Sequence, residues 1–404
     1  MRIIVQKFGG TSVATREHRL LAINHIEDAV RAGYHVVVVV SAMGRKGDPY
    51  ATDTLLSLLD PPDACSRRER DLLMSCGELI SGVVFSSMLR SRGYDNCVLT
   101  GGQAGIVTND DHTNAQIITV NPKRILQELE QEKIVIVAGF QGAAENGDIT
   151  TLGRGGSDTS ATALGVALNA EVVDIFTDVD GIMTADPRII KDARKLQTVT
   201  YAEICNLAYS GAKVIHPRAV EIAMQKNIPV RVRSTLSKDE GTLIVSQAEA
   251  DRIEARGLKD QVLTGITQTL NITQIKVACS PTGGNQLKVF KTMADNRISV
   301  DFISVTPAGV AFTVFSEDGE KAAALIRELG FEPELLPNCA KVSAVGAGIA
   351  GVPGVMATIL EALTAEDIEV LQSADSHTTI WCLVRQEDMV KAIRALHTKF
   401  KLHA

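Results

Sequence analysis

The chain has 404 residues, with 41 Lys and Arg against 48 Asp and Glu and a formal charge of −7. At ~150 residues per domain two or three domains are expected, and a composition of 45% hydrophobic and 22% charged residues excludes wholesale disorder. The acidic balance argues against a protein built to grip a nucleic-acid backbone, and no apolar run approaches the ~18 residues of a membrane span.

From Arg2 to about Ile244, short apolar runs alternate with amphipathic stretches. Ile3–Val5, Val36–Val40, Cys97–Leu99, Ile134–Ala138 and Val172–Phe176 read as strands buried on both faces. Between them, His18–Ala32 and Arg67–Leu89 read as helices, and the alternation predicts a largely parallel sheet sandwiched by helices. That order puts the functional loops at the carboxyl ends of the strands. Further on, Thr200 and Glu203 fit a capping box, and Pro217 opens another helix. Past the polar stretch Ser237–Arg256 the pattern changes. Residues 281–329 and 351–399 align without a gap at an offset of 70, matching Gly284 with Gly354, Ile298 with Ile368 and Val300 with Val370. Each copy reads as a small α+β module. The start, MRIIVQKFGG, lacks the pattern of a secretory leader, and seven scattered cysteines without a CxxC pair suit reduced thiols. A cytoplasmic location is expected.

The chemistry-bearing residues lie in glycine-rich loops of the front part. Lys7-Phe8-Gly9-Gly10-Thr11-Ser12 follows the first strand. Paired glycines let backbone N–H groups approach phosphate, and a lysine there adds a compact positive charge for a transferring phosphoryl group. An ordinary Gly-Gly turn with a solvated lysine would read the same way. No GxxxxGK[ST] occurs, so a P-loop NTPase is excluded. Thr151-Leu-Gly-Arg154-Gly155-Gly156-Ser157-Asp158-Thr159 is the strongest stretch. Arg154 can fork onto a carboxylate and Asp158 can pair with an ammonium, which suits a zwitterionic amino acid, while Ser157 or Asp158 also serves as a helix cap. Thr177-Asp178-Val-Asp180-Gly181 and Thr184-Ala-Asp186-Pro-Arg188 offer acids for magnesium or a ribose and an arginine for a phosphate, though DxDG alone is a weak signal. Glu78, inside an apolar helix, needs a partner or a ligand; the rest of that helix, Cys76 included, reads as packing. Gly346-Ala-Gly348-Ile-Ala-Gly351 matches a dinucleotide fingerprint, but it falls inside the repeat with too little chain after it.

Lys7–Val13, Thr151–Asp158, Thr177–Arg188 and Gly211-Ala-Lys213-Val-Ile-His-Pro217 together resemble the signature set of the aspartokinases, members of the amino-acid kinase family. The tail resembles their paired ACT domains. The loop Ser41–Asp53 is similar to that of the monofunctional, diaminopimelate-sensitive class. The resemblance implies a carbamate-kinase-like catalytic domain at 1–245, a linker at 246–261, and ACT (ferredoxin-like) modules at 262–336 and 337–404, with strand 262–270 completing the second. It implies ATP-dependent phosphorylation of the β-carboxylate of L-aspartate, with Mg²⁺ carried by the ATP phosphates and no direct protein ligands. Carried over by position, Lys7, Phe8, Gly9, Gly10, Thr177, Asp178, Met183, Arg188 and Lys213 would bind ATP. Ser41, Thr52, Glu78, Phe140, Arg154, Gly155, Gly156, Ser157 and Asp158 would form the substrate pocket, with Lys7, Arg154 and Asp158 closest to catalysis. Gly283, Gly284, Asn285, Gln286, Ser299, Val300 and Asp301 would meet an effector amino acid: diaminopimelate, lysine or threonine. A homodimer through the ACT modules is implied as well, with no nucleic-acid or membrane partner. Two positions depart from the pattern: extra residues between Met43 and Thr52, and Met183 where some relatives carry tyrosine. A sister kinase of the family, or a catalytically silent amino-acid sensor, are the alternatives.

Overall fold

Val36–Val40 illustrates what organises the front of the chain: five consecutive valines, none more than 2% exposed, can only sit in a strand covered on both faces. The computed structural model describes residues 1–61, 64–212, 214–254, 262–280 and 282–403. They form two compact units. The first comprises residues 1–182, 195–208 and the described part of 213–259; the second comprises 183–194, 209–212 and the described residues from 262 onward.

The first unit is built on an eight-stranded sheet. From one edge to the other it runs Thr198–Thr200, Thr242–Val245, Val230–Ser234, Val172–Thr177, Ile3–Phe8, His35–Val40, Ile134–Ala138 and Asn96–Leu99. Six strands are parallel; the two at the first edge run the other way, because Val230–Ser234 and Thr242–Val245 pair antiparallel. The helices start where their caps predict. Thr15 Oγ1 accepts from His18 N at the head of Arg16–Arg31, and Ser66 Oγ accepts from Glu69 N at the head of Arg67–Ser91. The expected capping box closes reciprocally: Thr200 N donates to Glu203 Oε2 at 2.9 Å, and Glu203 N donates to Thr200 Oγ1 at 3.3 Å. Pro217 sits in the first turn of Pro217–Met224.

Two features differ from the sequence reading. A second, four-stranded sheet (Ile117–Val120, Ile106–Thr108, Gln141–Ala144, Ile149–Thr151) sits beside the main one. Its strands are three or four residues long and rich in Thr, Gly and Ala, too short to show a period. Helix Arg67–Ser91, although interrupted by polar residues, is long and apolar enough by length and composition to cross a membrane. Its buried face carries Asp71, Ser75, Glu78 and Ser81 beside Phe85 and Leu89, so it is a core helix with polar work to do.

The second unit holds one antiparallel six-stranded sheet, in the order Asp301–Thr306, Gly309–Phe315, Gly265–Ala278, Pro333–Val345, Thr379–Arg385 and Gln372–Asp375. The repeat is visible in the elements: Thr379–Arg385 begins and ends 70 residues after Gly309–Phe315. The two long central strands serve both copies. Residues 265–269 pair with 341–345, the register slips between Thr269 and Gln274, and residues 274–277 pair with 333–336. Each copy has its own core, Ile275, Val289, Phe312 and Ile326 in one and Ile266, Ile359, Leu363 and Ile393 in the other. Gly346, the first of the fingerprint glycines, follows the antiparallel strand Pro333–Val345, so no parallel crossover exists there for a dinucleotide.

Candidate active site

Strands Ile3–Phe8 and His35–Val40 end side by side and lead into Gly9-Gly10 and Ser41-Ala42-Met43-Gly44. The two loops interlock. Ser41 N donates to Phe8 O at 3.1 Å and Gly44 N to Gly10 O at 3.0 Å. A Cβ on Gly10 would lie 2.6 Å from Gly44 O and 2.9 Å from Ala42 O, so the close approach needs glycine. Beyond these loops opens a cleft of about 670 Å³. Lys7, Gly10, Ser41, Thr52, Glu78, Phe140 and the run Arg154–Asp158 all line it, so the structure brings together residues spread over 150 positions.

Lys7 Nζ lies 2.6 Å from Asp158 Oδ1, with both side chains about nine-tenths buried. Asp158 stands in the first turn of helix Gly156–Ala167, which opens on Gly155 at φ 71°. A Cβ there would lie 2.3 Å from the His216 ring, and the amino end of the helix favours anions in the cleft. Phe140 takes a left-handed φ of 66°; Ser160 Oγ accepts from its N–H, and its carbonyl accepts from Leu152 N. Such strain in a bulky residue persists only where the surroundings hold it.

Glu78 is 2% exposed. Its Oε1 accepts from Ala42 N at 3.0 Å, while Oε2 is buried with no hydrogen-bond partner. Burial is the main cause that pushes its pKa up to about 8, against the lowering effect of the Ala42 bond. A carboxylate with one oxygen committed and one open at a cleft is a ready acceptor for a cationic ligand group.

Sequence reasoning passed over Asp71, two helical turns before Glu78 and fully buried. Its carboxylate accepts from Thr151 Oγ1 (2.5 Å), pairs with His112 Nδ1 (2.8 Å), and accepts from Thr113 N (3.1 Å to each oxygen). The available signal was an acid at helical spacing from Glu78 inside an apolar helix. Thr113, also unforeseen, lines the cleft together with Gly153 of the Thr151–Asp158 stretch.

The residues expected at a nucleotide divide. Phe8 turns its ring into the core, stacked on Phe176 with centroids 4.7 Å apart and no exposed surface, so only its backbone is at the loop. Gly9 N donates to Phe176 O. Thr177 ends strand Val172–Thr177 and donates to Asp178, whose other oxygen pairs with Arg45 at 2.7 Å. Met183 and Arg188 belong to the second unit, where Arg188 is forked onto Asp186. Lys213 lies outside the described residues. Among the described residues no group of three His, Cys, Asp or Glu side chains is arranged to hold a metal ion.

In the second unit, Gly283 and Gly284 both adopt left-handed φ, at 76° and 68°, and Gly284 caps helix Asn285–Asp295 as Gly354 caps Val355–Thr364. Gln286 Nε2 donates to Thr306 O at 2.7 Å. Ser299 is exposed, Val300 packs against the first copy's core, and Asp301 pairs with Lys341.

A largely parallel sheet whose glycine loops and helix amino terminus converge on a cleft lined by Lys7 and Arg154 fits a small-molecule phosphotransferase, and the comparisons agree. Residues 2–234 match the amino acid kinase family and residues 334–398 the ACT domain. The chain belongs to the amino acid kinase family, in its aspartokinase branch with C-terminal ACT domains. It is 57% identical to aspartokinase 1 of Bacillus subtilis over the full length of both chains. Aspartokinase III of E. coli, in complex with aspartate and ADP, superposes with a TM-score of 0.79 at 27% identity, covering 98% of this chain and 99% of that one. The same protein in complex with lysine and aspartate gives 0.76 at 27% identity over the same shares.

Proposed function

We propose that this chain transfers the γ-phosphoryl group of ATP to the β-carboxylate of L-aspartate, and that an amino acid held by the ACT modules regulates it. The observation that carries the substrate side is Glu78, whose buried, unpartnered oxygen shares a cleft with Arg154. A carboxylate and a guanidinium facing one cavity match the ammonium and α-carboxylate of an amino acid. Ser41, Thr52, Phe140 and Gly155–Ser157 complete the pocket.

The substrate carboxylate, with a pKa near ~3.9, is already ionised at pH 7, so no general base is needed. Its oxygen attacks the γ-phosphorus in line, a new O–P bond forms, and the bond to the β–γ bridging oxygen breaks to release ADP. Lys7 and the N–H group of Gly10 would neutralise charge on the phosphoryl oxygens, while Gly9, whose N–H is given to Phe176 O, lets the backbone come close. Asp158 holds the ammonium of Lys7 in place. Mg²⁺ entering with the nucleotide would offset charge as the two anions come together. Thr177, Asp178, Met183, Arg188 and Lys213 are the candidate nucleotide contacts.

We assign residues 1–245 to the catalytic domain, 246–261 to the linker, and 262–336 and 337–404 to the ACT modules, with strand 262–270 completing the second. Gly283–Gln286 and Ser299–Asp301 are the candidate effector contacts, with diaminopimelate, lysine or threonine as ligand. The edge strand Asp301–Thr306 exposes Ile303 and Val305, which supports a homodimer formed through this module. The seven cysteines are free thiols, which suits the reducing cytosol.

Trapping of acyl phosphate by hydroxylamine, with Mg-ATP and a panel of acidic amino acids, tests the proposal. Hydroxamate from aspartate, suppressed by one of the three effectors, is the expected result. Product from N-acetylglutamate or glutamate instead would keep the fold and move the substrate. No product from folded protein that binds ATP would leave a silent sensor.

A further inference from the structure

We infer that Asp71 is a positioning residue for the substrate clamp, acting through Thr151 and Thr113 on the loop that carries Arg154; this rests on Arg154 being that clamp. Asp71 comes from helix Arg67–Ser91, yet its partners lie on two other segments. Thr151 is the last residue of strand Ile149–Thr151, three positions before Arg154. Thr113 sits on a loop whose backbone it enters at a left-handed φ of 73°, unfavourable for a β-branched side chain. One fully buried carboxylate therefore fixes both walls of the Arg154 loop.

The two walls are also joined to each other. Ala115 N donates to Thr151 O at 2.8 Å, and Arg218 donates to both Leu152 O and Ala115 O at 3.0 Å. At Gly153 a Cβ would lie 2.7 Å from Asn114 Oδ1, so the turn into Arg154 rests directly on the Thr113 loop. Arg154 itself is exposed, and the side-chain entropy of a long guanidinium leaves its aim to the backbone that presents it. Asp71 makes no contact with the space a substrate would fill, since it is absent from the cleft lining. Its three polar partners, more than capping or packing requires, converge on the two walls of the loop instead. A buried network of this kind specifies one arrangement when every member is satisfied.

Three variants test the assignment: Thr151→Val, which keeps the shape and removes the hydroxyl, Thr151→Ser, which restores it, and Asp71→Asn. Steady-state kinetics at saturating co-substrate should show the aspartate KM raised about tenfold or more in T151V and D71N, with the ATP KM within about twofold of the parent. T151S should return to near the parent value, and the double variant D71N/T151V should be little worse than either single one. If T151V and D71N lower the melting temperature while leaving the ratio of the two KM values unchanged, Asp71 is structural only and the inference fails. Arg154→Lys is measured alongside. An unchanged aspartate KM in R154K would overturn the clamp reading itself, whereas a raised KM in R154K with none in T151V overturns only the role given to Asp71.

Discussion

Asp71 and Glu78 are two buried carboxylates on one face of one helix, and their surroundings differ in a single respect. Around Asp71 the protein supplies a hydroxyl, an imidazole and a backbone N–H. Around Glu78 it supplies one backbone N–H and leaves an oxygen bare. A buried polar group without a partner costs stability that a native fold seldom wastes. The satisfied acid holds shape; the half-satisfied one is held ready for something that arrives from outside.

The comparison can be broken at several strengths. The largest effect is expected at Lys7, the cation next to Asp158: Lys7→Met should lower kcat by roughly 10²–10³, read by ADP release under saturating substrates, and should lower the melting temperature as well, because the buried Asp158 loses its partner. Next, Glu78→Gln should raise the aspartate KM by at least about tenfold while leaving ATP binding alone. The same variant should gain stability. The folded-state pKa of Glu78, about 8, lies above its ordinary 4.5, so folding takes up a proton, and the contribution present below pH 4.5 is lost as pH rises through 8. The melting temperature of E78Q should therefore exceed the parent's increasingly from pH 5 to pH 9, a trade of stability against function. Gly10→Ala comes third, since its Cβ must displace the Gly44 carbonyl; a loss of about 1–3 kcal/mol is expected by thermal denaturation. The smallest effect belongs to Arg45→Ala. Its pair with Asp178 is 72% and 49% exposed, so stability should change by less than about 1 kcal/mol.

What the sequence revealed follows the same division. Strand runs such as Val36–Val40 and the caps at Thr200 and Pro217 were legible because they rest on local pattern. The 70-residue repeat was legible because both copies kept their glycine and core positions. Glu78 stood out as a charge in an apolar helix. Asp71 did not, because its role comes from His112, Thr113 and Thr151, which only folding brings to it. The small sheet around Gln141–Ala144 was hidden for a related reason: strands of three or four residues take their identity from neighbours. Phe8 shows the reverse case, a motif position whose side chain serves the core while its backbone stays at the loop.

The most direct test is the aspartate KM measured from pH 6.5 to 8.5 at saturating Mg-ATP, in the parent and in E78Q. Binding that requires the ionised carboxylate predicts a KM that falls roughly tenfold or more across this range in the parent, as Glu78 loses its proton near pH 8. In E78Q the KM should be high and flat. Parallel profiles in the two proteins would contradict the account, because the bare oxygen of Glu78 would then have no part in holding the substrate.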